Sequence, residues 1–205
     1  KFNLQIVRDS LENAIKDDDD VFLEHYIIGF KEINKFFSLI GTVFGFVSSD
    51  VKSKIEILEE FRKPENPNCE HFTSIKQMME YEQSANLFDK KDYVSGSRTL
   101  LRLHRGLDFI RLFLQKLGEL KAEEKTNDAC KVAYNDTLAN FHPWLIRKGA
   151  LMAMYALPTR DVLLNKVCSD VELSIALLPE MLEITGKIYD RTHDLYTKYN
   201  LHSLP

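Results

Sequence analysis

The chain has 205 residues, 44% of them hydrophobic and 28% charged, with a formal net charge of −4. That length buries a substantial core and suits one large domain spanning 1–205, and the composition excludes disordered and fibrous classes. The acidic balance, with no long basic run to neutralise phosphates, argues against a nucleic-acid binder.

In chain order, Leu4, Val7, Leu11 and Ala14 share one face and predict a short amphipathic helix over 3–15. Asp17-Asp18-Asp19-Asp20 ends it as a solvated turn that also sets negative charge at the start of the next helix. From Val21 to Val47, Leu23, Ile27, Phe30, Ile33, Phe37, Ile40, Phe44 and Val47 predict a long, strongly apolar helix. Asp50 then begins a helix through Ile55, Leu58 and Phe61, and the Pro- and Asn-rich stretch 63–68 reads as a loop. Further helices are expected over 72–88 and over 97–121, the latter with Leu100, Leu103, Leu107, Ile110, Leu114 and Leu117 in one stripe. A helix over 128–156 carries Pro143 as a kink, and a short one covers 160–167. Ser169-Asp170-Val171-Glu172 reads as a capping box opening the last segment, with a break near Pro179. No stretch sustains period-two alternation, so the fold class is all-α.

Cys69, Cys130 and Cys168 fit neither a disulfide framework nor a metal-ligand spacing, which points to reduced thiols. No secretory signal is visible, and the most apolar run, Ile33 to Val47, is interrupted by Asn34 and Lys35 and is too short to span a bilayer. A soluble cytoplasmic protein is expected. The six histidines lack ligand spacing, and no phosphate-cradling glycine loop or Gly-x-Ser-x-Gly elbow occurs. No metal, no cofactor and no catalysis are expected.

Three stretches set polar groups beside apolar helices. Asp50 and Lys54 share a face, as do Arg98 and Arg102, and Ala139-Asn140-Phe141-His142-Pro143-Trp144 holds the chain's single tryptophan. Singly, each has an ordinary explanation: an exposed ion pair, two solvated arginines, a packing histidine, a half-buried tryptophan. Arginine forks at that spacing are also suited to grip a phosphate or carboxylate.

Together the stretches Phe46-Val47-Ser48-Ser49-Asp50-Val51-Lys52-Ser53-Lys54, Ser95-Gly96-Ser97-Arg98-Thr99-Leu100-Leu101-Arg102-Leu103-His104-Arg105 and Asn135-Asp136-Thr137-Leu138-Ala139-Asn140-Phe141-His142-Pro143-Trp144 resemble the glycolipid transfer protein superfamily. The resemblance runs over nearly the whole chain in the same order. It implies a two-layer helical sandwich of about eight helices enclosing a lipid pocket. It also implies a head-group site in which Asp50 accepts from a ceramide amide N–H, His142 meets the acyl carbonyl, and Lys54, Arg98 and Arg102 hold a phosphate. Sugar-carrying members are expected to have Asn at Lys54, Lys at Ile57 and Trp at Arg102; the departures here favour ceramide-1-phosphate as cargo. The expected activity is its non-vesicular transfer between membranes by a monomeric carrier, peripheral at membranes. Trp144, Arg147, Lys148 and Arg160 are the candidates for transient contact with the membrane surface and its anionic lipids. The alternatives are a glycosphingolipid carrier, a lipid sensor of the same fold, or a helical protein-interaction module.

Overall fold

The computed structural model describes residues 1–205, apart from the side chain of Val43. Among these residues there are nine α-helices: α1 (Leu4–Asn13), α2 (Leu23–Ile40), α3 (Gly45–Arg62), α4 (Ile75–Ser84), α5 (Gly96–Glu119), α6 (Asn127–Asp136), α7 (Trp144–Met154), α8 (Arg160–Val167) and α9 (Val171–Lys198). One tiny antiparallel hairpin pairs Ile15–Lys16 with Asp20–Val21. The helices form a two-layer sandwich: α2 packs on α1, α3 and α8, α5 packs on α3, α4, α6 and α9, and the α1–α9 and α3–α5 contacts join the two sets. Phe30, Phe36, Leu107, Phe113, Leu163 and Ile188 are among the side chains buried between them. No helix of the described residues is long and apolar enough to cross a membrane.

Several boundaries differ from the sequence expectation, each for a local reason. The long helix expected over 21–47 ends at Ile40, because Gly41, a weak helix former, leaves the helical region (φ 160°, ψ 164°). Lys166 Nζ donates to the freed Ile40 carbonyl at 3.1 Å. After a 3₁₀ turn at Thr42–Phe44 the chain re-enters a helix at Gly45, so Asp50 lies in the second turn of α3 rather than at a helix start. The segment expected over 128–156 divides in two: α6 ends at Asp136, where Thr137 leaves the helical region (φ −125°, ψ −90°), and a 3₁₀ turn at Leu138–Phe141 follows. Pro143, whose ring and missing N–H bar it from a helix interior, stands at the head of α7, and His142 before it is held extended (φ −104°, ψ 137°). Pro179, by contrast, is carried within an unbroken α9 on its solvent side. The cap of that helix is Asp170, whose carboxylate accepts from the Leu173 N–H at 2.9 Å, one residue later than the expected capping box.

The acidic run is not simply a solvated turn. Asp20 is buried, and its carboxylate accepts from the backbone N–H of Lys76 at 3.1 Å, placing the negative charge at the start of α4 rather than of α2. Arg191 donates to the carbonyls of Lys16, Asp17 and Asp20, each at 3.0 Å, and ties the hairpin to α9.

The first turn of α5 is fixed from three sides. Ser95 caps it through the Arg98 N–H at 3.0 Å. Glu82 of α4, fully buried, accepts from the N–H groups of Gly96 (2.9 Å) and Ser97 (2.7 Å) and from the Ser97 hydroxyl (2.6 Å). Tyr196 of α9 donates to the Ser97 carbonyl at 2.6 Å. Gly96 permits the close approach, since a Cβ there would stand 2.7 Å from Met78 Sδ. Replacing Glu82 by Ala leaves two buried backbone donors unpaired and should lower the unfolding free energy by about 2–4 kcal/mol, with Glu82→Gln in between. The measurement is the midpoint of urea unfolding.

Candidate functional site

The site is built where α2, α3, α5, α6 and α7 meet. They enclose a cavity of about 540 Å³ whose interior is apolar and aromatic, including Phe30, Phe37, Phe44 and Phe109. Four of the five head-group residues expected from the sequence line it: Asp50 and Lys54 from α3, Arg102 from α5, and His142 from the link before α7. Arg98, one turn before Arg102 on α5, does not line the cavity itself.

Lys54 and Asp50 meet at 2.5 Å across one helical turn, with the Lys54 side chain 19% and the Asp50 side chain 65% exposed. The arginines are arranged differently. Arg98 donates to the Phe88 carbonyl at 3.3 Å, and its Nε is buried without a partner. Arg102 donates to the carbonyls of Arg98 (3.0 Å) and Leu204 (3.2 Å). Arg105 donates to the His202 carbonyl at 2.9 Å, and its guanidinium lies 4.0 Å from the centre of the Phe141 ring. Among the described residues none of the three has a carboxylate within 4.0 Å, so carbonyl oxygens orient these cations without neutralising them. Burial, followed by the neighbouring Arg98, lowers the Arg102 pKa; burial, followed by Arg102, lowers that of Arg105. Both guanidinium groups are thus partly desolvated beside another cation.

His142 is half-buried, and its Nδ1 lies 2.8 Å from the Tyr134 hydroxyl. Burial holds the imidazole below its ordinary pKa, opposed by the charge of Asp50. The sequence reading did not assign Arg105 or Tyr134. Arg105 was within reach of it, since 98, 102 and 105 follow the i, i+4, i+7 spacing of one helical face; Tyr134 and the aromatic lining carried no signal that separates a cavity wall from a core. Among the described residues, no group of His, Cys, Asp or Glu could hold a metal ion.

Of the residues expected at a membrane, Trp144 is 60% exposed with Lys148 Nζ 4.2 Å from its ring centre, and Arg147 is exposed beside them. Leu145, Met152 and Tyr155 of the same region are exposed as well. Arg160 is engaged elsewhere. It donates to the Leu120 carbonyl at 2.7 Å and pairs with Asp161 at 3.0 Å, which takes it out of that cluster.

A helical sandwich that closes around an apolar cavity, with unneutralised guanidinium groups at its mouth, defines a binder of an amphiphile with an anionic head. The sequence pattern of the glycolipid transfer protein (GLTP) family matches residues 21–169, and the chain belongs to that family. The ceramide-1-phosphate transfer protein of Xenopus laevis is 43% identical over 211 residues, covering 100% of this chain and 97% of that protein. The apo crystal structure of the mouse ceramide-1-phosphate transfer protein superposes with a TM-score of 0.92 at 39% identity, covering 100% of both chains. The crystal structure of the human ceramide-1-phosphate transfer protein in complex with 2:0 ceramide-1-phosphate gives 0.88 at 35% identity, covering 100% of this chain and 99% of that one.

The charge arrangement has a consequence for the lipid-free protein. Inorganic phosphate in millimolar excess should raise the melting temperature of the wild type and do so less for Arg102→Leu. Without phosphate, Arg102→Leu should change stability by no more than about 1 kcal/mol, because the lost carbonyl bonds are offset by relief of repulsion from Arg98. Differential scanning calorimetry with and without phosphate measures both effects.

Proposed function

We propose that this protein moves ceramide-1-phosphate between membranes as a non-enzymatic, monomeric carrier, residues 1–205 acting as one lipid-transfer unit. The observation that carries the reading is the set of arginines without carboxylate partners above an apolar cavity. The names and bound ligand of its relatives support it. In this reading Lys54, Arg98 and Arg102, joined by Arg105, hold the phosphate. Asp50 accepts from the amide N–H, and His142 donates to the acyl carbonyl. The lipid chains enter the cavity lined by Phe30, Phe37 and Phe109.

Magnitudes divide the work. Each buried methylene contributes about 0.8 kcal/mol, so two long chains supply on the order of 20 kcal/mol gross with little discrimination between head groups. Charge-assisted hydrogen bonds contribute roughly 1.5–3 kcal/mol each and confer the choice. A neutral sugar would leave the arginine forks unpaired and desolvated, which disfavours a glycosphingolipid as cargo. A protein-interaction module is disfavoured by the open interior, which such a module would fill with side chains.

Delivery requires contact with a bilayer, and Trp144, Leu145 and Met152, flanked by Arg147 and Lys148, form the surface suited to it. The indole fits the membrane interface and the cations fit anionic lipids. Arg160 has no part in this surface. The protein is thus proposed to be cytoplasmic and peripheral at membranes.

The test is transfer of ceramide-1-phosphate and of glycosylceramide between vesicles. Only the former should move, and Arg98→Leu or Arg102→Leu should abolish its transfer in protein that remains folded by circular dichroism. Undiminished transfer by both variants, or equal carriage of glycosylceramide, sinks the reading. Trp144→Ala should slow transfer severalfold while leaving equilibrium binding of a short-chain, water-soluble ceramide-1-phosphate nearly intact. An equal loss in both assays counts against a membrane role.

A further inference from the structure

The Tyr134–His142 contact fixes more than the position of a ring. A neutral imidazole has one N–H donor and one acceptor nitrogen, and the hydrogen bond made by the first nitrogen decides what the second can do. His142 places Nδ1 at 2.8 Å from the Tyr134 hydroxyl, which has no other side-chain or backbone partner among the described residues. Tyr134 is itself 3% exposed, and its ring stands edge-on to Phe109 at 6.3 Å, so the hydroxyl is held in place by packing. A phenol O–H is a better donor than an imidazole N–H, and a pyridine-type nitrogen is a better acceptor than a phenol oxygen. The hydroxyl therefore donates, Nδ1 accepts, and the ring proton resides on Nε2.

We propose that Tyr134 is a positioning residue that locks His142 as the Nε2–H tautomer, so that His142 presents a donor, and not a lone pair, to an acyl carbonyl. This rests on the reading above, in which His142 meets the acyl carbonyl of the lipid. It adds the reason that the contact has the right polarity. A carbonyl is acceptor-only, and the opposite tautomer would set two lone pairs against each other. With Asp50 supplying an acceptor and the locked His142 a donor, the pair reads both ends of a secondary amide in a fixed sense. Burial keeps His142 neutral near pH 7 despite the nearby Asp50 charge, which leaves the choice of tautomer to Tyr134. Tyr134 remains protonated there because burial raises its pKa.

The test separates the tautomer from the lipid contact. In lipid-free protein with 15N-labelled histidine rings at pH 7, long-range 1H–15N spectra should show His142 with an unprotonated Nδ1 and a protonated Nε2. In Tyr134→Phe, which keeps the ring and its packing, the two nitrogen shifts should move toward each other. Equilibrium binding of short-chain ceramide-1-phosphate should weaken roughly three- to tenfold in Tyr134→Phe, the value of one hydrogen bond. In a His142→Ala background the same substitution should have no further effect. A wild-type His142 protonated on Nδ1, shifts unchanged by Tyr134→Phe, or an undiminished effect of Tyr134→Phe without His142 overturns the proposal. If His142→Ala leaves lipid binding intact while the shifts move as expected, the tautomer lock stands and the assignment of the acyl carbonyl to His142 is what fails.

Discussion

Positive charge left without a counter-charge on one face of α5 is the constraint on which the rest of the molecule depends. The same helix shows the ordinary alternative lower down, where Arg111 pairs with Asp108 at 2.7 Å. At Arg98, Arg102 and Arg105 only carbonyl oxygens are supplied, from Phe88, Arg98, Leu204 and His202. A carbonyl aims a guanidinium but does not cancel it. Such a cluster near the N-terminus of a helix is doubly unfavourable, because the helix dipole adds positive potential there. The buried carboxylate of Glu82, on the first two N–H groups of α5, answers that potential and fixes the register of the arginines in the same stroke.

Much of this was legible in the sequence, and the parts that were not have physical causes. The stripe from Leu100 to Leu117 depends on local periodicity and the short helix at 160–167 on the Leu157-Pro158-Thr159 break before it, and both lie where those local signals put them. Breaks within strongly apolar runs are harder, since hydrophobic period continues across a change of direction. Hence periodicity runs on past Gly41 and across the 137–143 link, although a new helix starts after each. Pro179 shows the converse: on a solvent-facing side a proline can be carried within a helix, so the residue type alone does not decide. Of the site, the charged residues were legible because charge beside apolar helices is anomalous. The aromatic wall was not, because Phe30 and Phe109 follow the same spacing whether they face a packed core or a cavity. Arg160 illustrates the limit of nearness in sequence: it follows α7 closely, yet its fork is spent on Leu120 and Asp161.

The break at Pro143 also links the two surfaces that a carrier needs. On one side of it His142 lines the cavity, and on the other Trp144 is exposed at the head of α7. Helix α7 carries apolar residues on both faces: Ile146, Ala150, Ala153 and Met154 line the cavity, whereas Leu145 and Met152 are exposed in the same helix as Arg147 and Lys148. Of its 11 residues only Ala153 and Met154 are buried, so α7 is weakly held compared with α5, whose first turn is tied to both α4 and α9. An element with few buried contacts is the one that opens first. The residues that α7 turns toward the cavity are all apolar, so a bilayer can solvate that face, while Arg147 and Lys148 on its exposed side suit anionic head groups. Helix α5, fixed at its first turn, meanwhile keeps Arg98, Arg102 and Arg105 in register. In the proposed reading, selection resides chiefly on α5 and exchange on α7. That division lets a single cavity bind its lipid by its apolar chains, choose it by its head, and still release it.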